Sequence, residues 1–351
     1  MMRYSTLGSS GLQVSRACLG TMTWGTQNNQ KDADGQLDYA LDRGVNFIDT
    51  AEMYAVPPTK DTYGKTEAII GDWLARFPER RKDFILATKI AGNGLPWIRS
   101  GGDITGEAVI EAVDASLKRL QTDYIDVYQL HWPNRTSPHF SKHWPGRLRF
   151  SEANAEQHTQ GMMNILEGLI TCIKAGKIRH YGLSDDTPWG IQQYVRLAET
   201  HNLPRPVSIQ NEFSLLHIKD WPYLIEQCIH SEIAFLPWSP LAGGALSGKY
   251  LQGARPEGSR WSLAQRHGLF RDNPRTEAAI ARYVEVAAQH GLTPSQLALA
   301  WCDQVDGVTS TIIGATTMTQ LKEDLDAFEA PLTAAALNDI HEVLRKHPSP
   351  F

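Results

Sequence analysis

The sequence predicts an α/β fold and, within that class, a (β/α)8 TIM barrel. Three observations support this prediction. Short apolar segments alternate with amphipathic helical patterns, eight of these segments have the composition of strands, and no change in composition marks a linker. A chain of 351 residues can hold one barrel or two average domains, and a doubly wound sheet has the same alternation. We expect a single barrel domain that spans residues 1–351.

The chain begins with a predicted β-hairpin at residues 4–15, where two strand-like pieces flank a Gly-Ser turn. The predicted barrel strands follow it, and most are rich in Val, Ile, Leu or aromatic residues. They cover residues 16–20, 47–49, 84–88, 124–130, 178–183, 207–210, 234–238 and 310–313.

Amphipathic helices are predicted between these strands. The segment after Thr105 shows the pattern most clearly, because its apolar residues fall on one helical face. Residues 65–77 and 275–290 behave similarly. A capping box at Thr293 starts a further helix, and residues 333–347 predict the last one.

Composition and charge argue against several classes of function. The formal net charge is −5, and no run of Lys and Arg suggests nucleic acid or a membrane surface as a partner. The four cysteines are scattered without a CxxC pair, which argues against a zinc module or a disulfide framework. Neither a signal peptide nor an apolar run of about 18 residues is visible. We therefore expect a cytoplasmic protein, and the sequence predicts no oligomeric state.

Three segments are too long to be simple connections. They are residues 91–103, 132–160 and 243–271. In a barrel, the first two follow strands and lie on the catalytic face, where loops set specificity. We expect substrate contacts in these two loops.

Ionisable residues stand at the ends of three predicted strands. Asp49 ends the second strand, Lys89 the third and His131 the fourth, and Tyr54 lies just past Asp49. The carboxyl ends of parallel strands meet at one mouth of a barrel, where active sites lie. Taken alone, each residue also fits a structural role, such as a capping Asp or a packing Tyr. Four of them at one mouth favour a catalytic site.

These four side chains fit a proton-donating site. A phenol has a pKa near ~10, and a neighbouring ammonium lowers that value. Lys89 can do this for Tyr54 with Asp49 as its counter-ion, and His131 can orient a carbonyl oxygen. Such a set protonates a carbonyl oxygen while another group attacks the carbon. No side chain is an obvious attacking group, so we expect a bound cofactor that supplies hydride.

Two segments are candidates for binding the phosphates of that cofactor. Residues 238–249 offer backbone amides, a hydroxyl and Lys249, but Tyr250 follows where a P-loop needs Ser or Thr. No GxGxxG follows the first strand, so a Rossmann site is not supported. Residues 314–320 form a hydroxyl-rich turn before a helix, which is either a phosphate site or an ordinary Thr cap. The cations Lys249 and Arg260 favour the phosphate site.

Several motifs together resemble those of the aldo-keto reductase family, and the resemblance covers nearly the whole chain. They are Leu19-Gly-Thr-Met, Asn46-Phe-Ile-Asp-Thr-Ala-Glu-Met-Tyr, Gly64 with Glu67, Thr88-Lys, Leu130-His, Gly176-Lys-Ile-Arg, Gly182-Leu-Ser, Gln210-Asn, Trp238-Ser-Pro-Leu and Gly314-Ala-Thr-Thr-Met-Thr-Gln-Leu. Within the family, the chain looks most similar to the branch that contains the bacterial Tas proteins and the potassium-channel beta subunits.

The resemblance implies that the hairpin closes the base of the barrel and that NADPH binds in an extended pose to reduce a small-molecule carbonyl. It also implies that Tyr54 is the general acid, that Lys89 and Asp49 tune it, and that His131 orients the carbonyl. The channel-subunit branch commonly has Asn at the position of His131, so His at this position favours a working reductase.

Around the nicotinamide, the resemblance implies five contacts. Thr23 and Trp24 would line the site. Ser184 and Gln210 would hold the nicotinamide amide, and Trp238 would pack on the ring.

Further implied cofactor contacts involve the pyrophosphate, the 2′-phosphate and the adenine, together with the acid at the end of the second strand. Along the pyrophosphate would lie Ser239, Pro240, Leu241, Ala242 and Gly243; the 2′-phosphate would be held by Lys249, Arg260, Thr316 and Gln320, and the adenine by Glu323. The remaining implied cofactor contacts are Asp49, Gly314 and Asp324. The cations in this set favour NADPH over NADH. Two positions depart from the family pattern, because Asp185 stands where many members have Asn or Arg, and Asp324 stands where Asn usually contacts adenine. A carboxylate cannot donate a hydrogen bond unless it is protonated.

Three alternatives to a reductase remain open. A regulatory module could hold NADPH with little turnover, and Lys89 could form a Schiff base as in barrel aldolases. His139 and His143 are four residues apart, as helical metal ligands would be, but Pro138 and Pro145 indicate an irregular loop with surface histidines.

Overall fold

The structure is a computed structural model that describes residues 1–140, 142–263, 271–329, 331–348 and 350–351. The predicted loops at 132–160 and 243–271 therefore lie partly outside the described residues. The strands, in chain order, are β1 Tyr4–Thr6, β2 Gln13–Ser15, β3 Ala17–Gly20, β4 Phe47–Asp49, β5 Ile85–Ile90, β6 Ile125–Leu130, β7 Ile178–Ser184, β8 Ser208–Gln210, β9 Ala234–Phe235 and β10 Thr311–Ile313. The α-helices are α1 Gln30–Asp42, α2 Lys65–Arg76, α3 Gly106–Leu120, α4 Ala155–Lys174, α5 Pro188–Thr200, α6 Tyr223–His230, α7 Pro274–Gln289, α8 Pro294–Gln304, α9 Met318–Asp326 and α10 Ala334–Lys346.

Strands β3 to β10 form one parallel sheet in the order β10-β3-β4-β5-β6-β7-β8-β9. The sheet closes on itself, because Thr309 N donates to Phe235 O at 3.0 Å and Ile312 N donates to Pro237 O at 2.9 Å. An open doubly wound sheet would leave both edge strands unpaired. The predicted (β/α)8 barrel is therefore confirmed, and the doubly wound alternative is wrong.

The hairpin β1–β2 closes the base of the barrel. Leu7 and Val14 from the hairpin pack in one cluster with inward-facing residues of the barrel strands, among them Phe47 and Val127. A side chain at Gly8, whose φ is +52°, would collide with the carbonyl oxygen that precedes β8. This close approach of backbone to backbone needs glycine and seals the end of the barrel opposite the mouth.

Most element boundaries follow the predictions, and the differences have local causes. Thr105 accepts a hydrogen bond from Ala108 N and starts α3, and Thr293 forms the predicted capping box. The regular part of β9 ends at Phe235 rather than at residue 238, because Pro237 has no amide hydrogen for the ladder. The predicted loop at 132–160 ends earlier, since Asn154 caps α4.

None of the described helices combines the length and the apolar character needed to cross a membrane.

Candidate active site

A buried ion pair lies at the carboxyl ends of β4 and β5. Lys89 Nζ donates to Asp49 Oδ2 at 2.6 Å and to the carbonyl oxygen of Thr50 at 2.8 Å. Burial disfavours the Lys89 ammonium, but the Asp49 carboxylate outweighs this effect, so the pKa of Lys89 is raised. Lys89 is therefore a cation at neutral pH although its side chain is fully buried.

Two glutamines complete the surroundings of Asp49. Gln210 Nε2 donates to Asp49 Oδ1 at 2.9 Å, and Gln129 Nε2 donates to the same oxygen at 3.0 Å. The sequence analysis did not single out Gln129. Gln129 lies two residues after Val127 on β6 and two before His131, which directly follows the strand, and this spacing would have placed it on the same inward face.

Tyr54 lies above this pair at the mouth. Lys89 Nζ is 5.1 Å from the centroid of the phenol ring, and the rings of Tyr54 and His131 meet edge to face with centroids 5.6 Å apart. His131 is buried and is fixed by its amide, which donates to the carbonyl oxygen of Ile90 at 3.1 Å. The structure thus brings the four predicted catalytic side chains together.

The pKa of Tyr54 corrects one expectation. Burial raises the pKa of the phenol, and nearby Lys89 lowers it, while Asp49 and Asp185 raise it further. The net direction is upward, so the expected net lowering by Lys89 is wrong. Desolvation of the phenolate outweighs the attraction of the ammonium. The Tyr54 phenol consequently keeps its proton at neutral pH.

An aromatic and acidic wall faces Tyr54 from β7 and from the segment after β9. Trp238 Nε1 donates to Asp185 Oδ1 at 3.1 Å, and the ring of Phe140 stacks on that of Trp238 with centroids 5.7 Å apart. Burial raises the pKa of Asp185 well above its usual value, so this acid favours its neutral form. Ser184, just before Asp185, is buried and pairs in register with Gln210.

The segment after Trp238 forms a tight loop, which we call the phosphate loop (residues 239–244). Ser239, Ala242, Gly243 and Gly244 all have positive φ values between 50° and 89°. Gly243 N donates to Ser239 Oγ at 3.1 Å. Ala242 N and Gly244 N likewise donate within the loop, to Ser239 O and Leu241 O, so these bonds fix its shape.

Two cations face the phosphate loop. A Cβ atom built on Gly243 would lie 3.5 Å from Arg260 Cδ, and one built on Gly244 would lie 2.9 Å from Lys249 Nζ. Burial and the positive charge of Arg260 lower the pKa of Lys249. Burial and nearby Arg271 lower the pKa of Arg260. Burial is the larger cause of both lowered pKa values, and repulsion from a neighbouring arginine, which an anion would relieve, adds to it.

The turn before α9 is held by its own capping box. Gln320 Oε1 accepts from Thr316 N and from Thr316 Oγ1, both at 2.9 Å, and Thr317 caps the helix. Asn28 Nδ2 donates to Thr316 O at 2.8 Å and ties this turn, which begins at Gly314, to the loop after β3. Residues 314–320 therefore form the Thr-capped helix start that was one of the two predictions for this segment.

The last two predicted adenine contacts lie on α9. Glu323 accepts a hydrogen bond from Thr293 Oγ1. Asp324 is buried, which raises its pKa to about 8, an effect that nearby Glu323 reinforces and Lys249 opposes. Asp324 is therefore mostly neutral at pH 7 and leaves the charge of Lys249 uncompensated.

Two residues differ in position from the sequence expectations. The indole of Trp24 is buried in the core and donates to Gln36 Oε1 of α1 at 2.7 Å, so it does not line the mouth, whereas neighbouring Thr23 donates to Asn28. His139 is buried rather than on the surface, and burial lowers its pKa to about 4.

The loop at residues 91–103 is anchored to the strand-end motif by an ion pair that the sequence analysis did not assign. Both guanidinium Nη atoms of Arg99 donate to the buried carboxylate of Glu52, and Ala91 N donates to Glu52 Oε2 at 2.7 Å. In the sequence, the sign of this ion pair was Glu52, the second acid of the Asn46–Tyr54 motif. Glu52 thus holds this loop over the mouth.

Comparisons with known proteins agree with this arrangement. The sequence profile of the Aldo/keto reductase family matches residues 16–345. "Protein tas" of Escherichia coli (strain K12) is 41% identical over 352 residues, which cover 99% of each chain. "Uncharacterized oxidoreductase YrpG" of Bacillus subtilis (strain 168) is 30% identical over 97% of this chain and 96% of its own. "Probable voltage-gated potassium channel subunit beta" of Arabidopsis thaliana is 32% identical over 99% and 98%.

The chain belongs to the aldo/keto reductase family. As a member with oxidoreductase-named relatives, it is an NAD(P)-dependent oxidoreductase.

Proposed function

We propose that this protein reduces aldehydes or ketones to alcohols with NADPH, and that Tyr54 is the general acid. The observation that carries this proposal is the position of the Tyr54 phenol, which is protonated at neutral pH and lies between the Lys89 ammonium and His131. A proton donor must hold its proton before the reaction and must be stabilised after losing it. Burial favours the protonated phenol, and the nearby Lys89 ammonium would stabilise the phenolate, which supports this role.

The neighbours of Tyr54 divide the remaining work. Asp49 keeps Lys89 charged, and the Lys89 ammonium stabilises the negative charge that appears on the phenol oxygen when its proton leaves. His131 orients the carbonyl oxygen of the substrate by a hydrogen bond. When bound, NADPH supplies the hydride that reaches the carbonyl carbon.

The phosphate loop supports the choice of cofactor. Lys249 and Arg260 lie beside this loop, and their positive charges suit a phosphorylated dinucleotide. Two cations at one phosphate site favour NADPH over NADH, because the 2′-phosphate adds charge that NADH lacks. Trp238 offers its ring to the nicotinamide, while Ser184 and Gln210 stand at adjacent strand ends.

The test is loss of nicotinamide absorbance when the protein is mixed with NADPH and an aromatic aldehyde. We expect steady turnover by the wild type and a loss of about 10²-fold or more for Tyr54→Phe, with an NADPH Kd within about twofold of wild type. Unchanged turnover in Tyr54→Phe would sink the role of this residue. Turnover with NADH alone would refute the cofactor assignment.

A second candidate function is an NADPH-binding regulatory module with little turnover. The relative named as a potassium channel beta subunit, at 32% identity, is the observation that favours it. This reading expects tight NADPH binding and negligible turnover across a broad panel of aldehydes and ketones. Measurable turnover that depends on Tyr54 would decide for the reductase.

A further inference from the structure

Tyr250 stands in a stack of side chains beside the phosphate loop. Its ring packs face to face with that of Trp261, with centroids 4.1 Å apart and planes 8° from parallel. Lys249 Nζ lies 5.3 Å from the Tyr250 ring centroid, and the guanidinium of Arg255 lies 5.2 Å from the Trp261 ring centroid. These stacking and cation–π contacts fix the direction in which the Tyr250 hydroxyl points.

The hydroxyl of Tyr250 is buried and has no hydrogen-bond partner within the part of the chain that the structure describes. The residue as a whole is only 4% exposed. Buried polar side-chain atoms are nearly always hydrogen-bonded in folded proteins, so an orphaned donor at a candidate site indicates a missing partner.

The position of this hydroxyl identifies the space that the partner would occupy. Tyr250 Oη lies 3.5 Å from the point where a Cβ atom on Gly244 would stand, and Lys249 Nζ lies 2.9 Å from the same point. Arg260 faces the neighbouring Gly243. The hydroxyl therefore packs beside Lys249 against Gly244, the last residue of the phosphate loop.

We propose that Tyr250 Oη donates a hydrogen bond to a phosphate oxygen of the bound dinucleotide. This inference rests on the proposed NADPH binding. It adds Tyr250 to the residues that contact the cofactor, as a neutral donor next to the cation Lys249. A phosphate oxygen is an acceptor, and a phenol hydroxyl is a neutral donor that can satisfy it without adding charge to a site already rich in cations.

The two phosphate sources on NADPH, its pyrophosphate and its 2′-phosphate, present the same acceptor chemistry. Lys249 lies beside the hydroxyl at Gly244, and Arg260 lies at the neighbouring Gly243. A comparison of NADPH with NADH separates the sources, because NADH has the pyrophosphate and lacks the 2′-phosphate.

The test is the variant Tyr250→Phe, which removes the hydroxyl and keeps the ring in its stack on Trp261. Isothermal titration calorimetry gives the Kd for NADPH and for NADH without any turnover. We expect a rise of about tenfold in the NADPH Kd, the size expected for a lost hydrogen bond to a charged group. A rise for NADPH alone assigns the bond to the 2′-phosphate, and an equal rise for both assigns it to the pyrophosphate.

The matched control is Tyr128→Phe. The Tyr128 hydroxyl is also buried without a hydrogen-bond partner among the described residues, but Tyr128 lies on β6, where the charged groups near it are those of Glu52, Glu67 and Arg99. We expect wild-type Kd values for this variant. Thermal unfolding without nucleotide provides the second control, and we expect Tyr250→Phe to melt at or above the wild-type temperature, because an orphaned buried hydroxyl destabilises the free protein.

Three results would overturn this inference. If the wild type binds NADPH and Tyr250→Phe binds both nucleotides as tightly, the hydroxyl makes no bond to the nucleotide, and the proposed function stands. If Tyr128→Phe weakens binding as much as Tyr250→Phe, the effect is not local to the phosphate loop. If the wild type does not bind NADPH, the proposed function fails together with the inference.

Discussion

The Lys89 ammonium and the Asp49 carboxylate form a buried ion pair at 2.6 Å, and Gln129 and Gln210 both donate to the remaining carboxylate oxygen. Removing one partner of a buried ion pair leaves an uncompensated charge in a low-dielectric interior. The pair therefore links the stability of the barrel to the chemistry at its mouth.

We predict that Asp49→Asn lowers the free energy of unfolding by about 3 kcal/mol, because Lys89 loses its carboxylate partner. Urea denaturation measures this change. The double variant Asp49→Asn/Lys89→Met removes both charges, and we expect it to regain most of the stability but none of the turnover. A double variant as unstable as the single one would contradict the assignment of the loss to an unpaired charge.

The raised pKa of Tyr54 predicts the pH profile of the reduction. An acid works below its pKa and fails above it, and the pKa of Tyr54 lies above the usual value near ~10. We therefore expect no fall in kcat that is due to Tyr54 between about pH 6 and pH 9. A fall in kcat in this window that Tyr54→Phe abolishes would show that the pKa of the phenol is lowered instead.

We predict that Arg260→Ala discriminates between the two nicotinamide cofactors. The guanidinium faces the phosphate loop beside Lys249, so its loss removes charge-assisted contacts to phosphate. The NADPH Kd should rise by about tenfold or more, and the effect should shrink at high salt. Arg282→Ala, which removes an exposed arginine paired with Glu285 on α7, is the comparison, and we expect it to leave the NADPH Kd unchanged. If Arg260→Ala loses as much affinity for NADH as for NADPH, Arg260 contacts the pyrophosphate and not the 2′-phosphate.

The buried carboxyl group of Asp324 predicts how the free energy of unfolding changes with pH. Its folded-state pKa of about 8 exceeds the usual value, so the folded protein retains this proton up to about pH 8. The free energy of unfolding therefore falls as pH rises between about 4 and 8, and Asp324→Asn should remove that component. Above pH 8 the new carboxylate near Lys249 should also weaken NADPH binding.

Calorimetric NADPH titrations at pH 7 and pH 9 measure the second effect. The lowered pKa of Lys249 contributes a loss of the same sign in wild type and variant, so the difference between them isolates Asp324. Asp326→Asn, an exposed position on the same helix, is the control. Identical pH dependence in wild type and Asp324→Asn would contradict a neutral Asp324 at pH 7.

We predict that Arg99→Ala raises the KM for the carbonyl substrate severalfold and leaves the NADPH Kd unchanged. Arg99 joins Glu52 to the carbonyl of Ala91 and so holds the loop at residues 91–103 over the mouth. The buried Glu52 carboxylate would also lose its cation, at a cost of about 3 kcal/mol in stability. The double variant Glu52→Gln/Arg99→Met should recover stability while KM stays high. A wild-type KM in that double variant would contradict the claim that the Glu52–Arg99 ion pair positions this loop for substrate binding.

The sequence predicts the barrel well because strand and helix periodicities are local. The convergence of Asp49 and Lys89 also follows from strand ends alone, since parallel strands share one edge. Trp24 shows the limit of this reasoning. Thr23 and Trp24 are adjacent, but the threonine hydroxyl donates to Asn28, while the indole turns into the core and donates to Gln36 of α1. A motif gives the position of a residue in the chain and not the direction of its side chain.

Long-range contacts account for the rest of what the sequence could not predict. His139 is buried because its loop folds back on the segment after β7, where its ring approaches the carbonyl of Asp186, 47 positions away. The net pKa shift of Tyr54 likewise depends on burial, which the Asn46–Tyr54 motif does not encode. Gln129 and Glu52 were visible in the sequence, but their partners were not.

The central claim is that the Tyr54 phenol delivers the proton that completes carbonyl reduction. A single-turnover stopped-flow experiment with protein preloaded with NADPH and mixed with an aromatic aldehyde tests it most directly. Tyr181→Phe is the matched control, because its hydroxyl donates to Pro204 O at the base of the barrel. We predict a wild-type rate for Tyr181→Phe and a rate at least about 10²-fold lower for Tyr54→Phe, with NADPH still bound. Nicotinamide oxidation in Tyr54→Phe within about twofold of the control would contradict the claim.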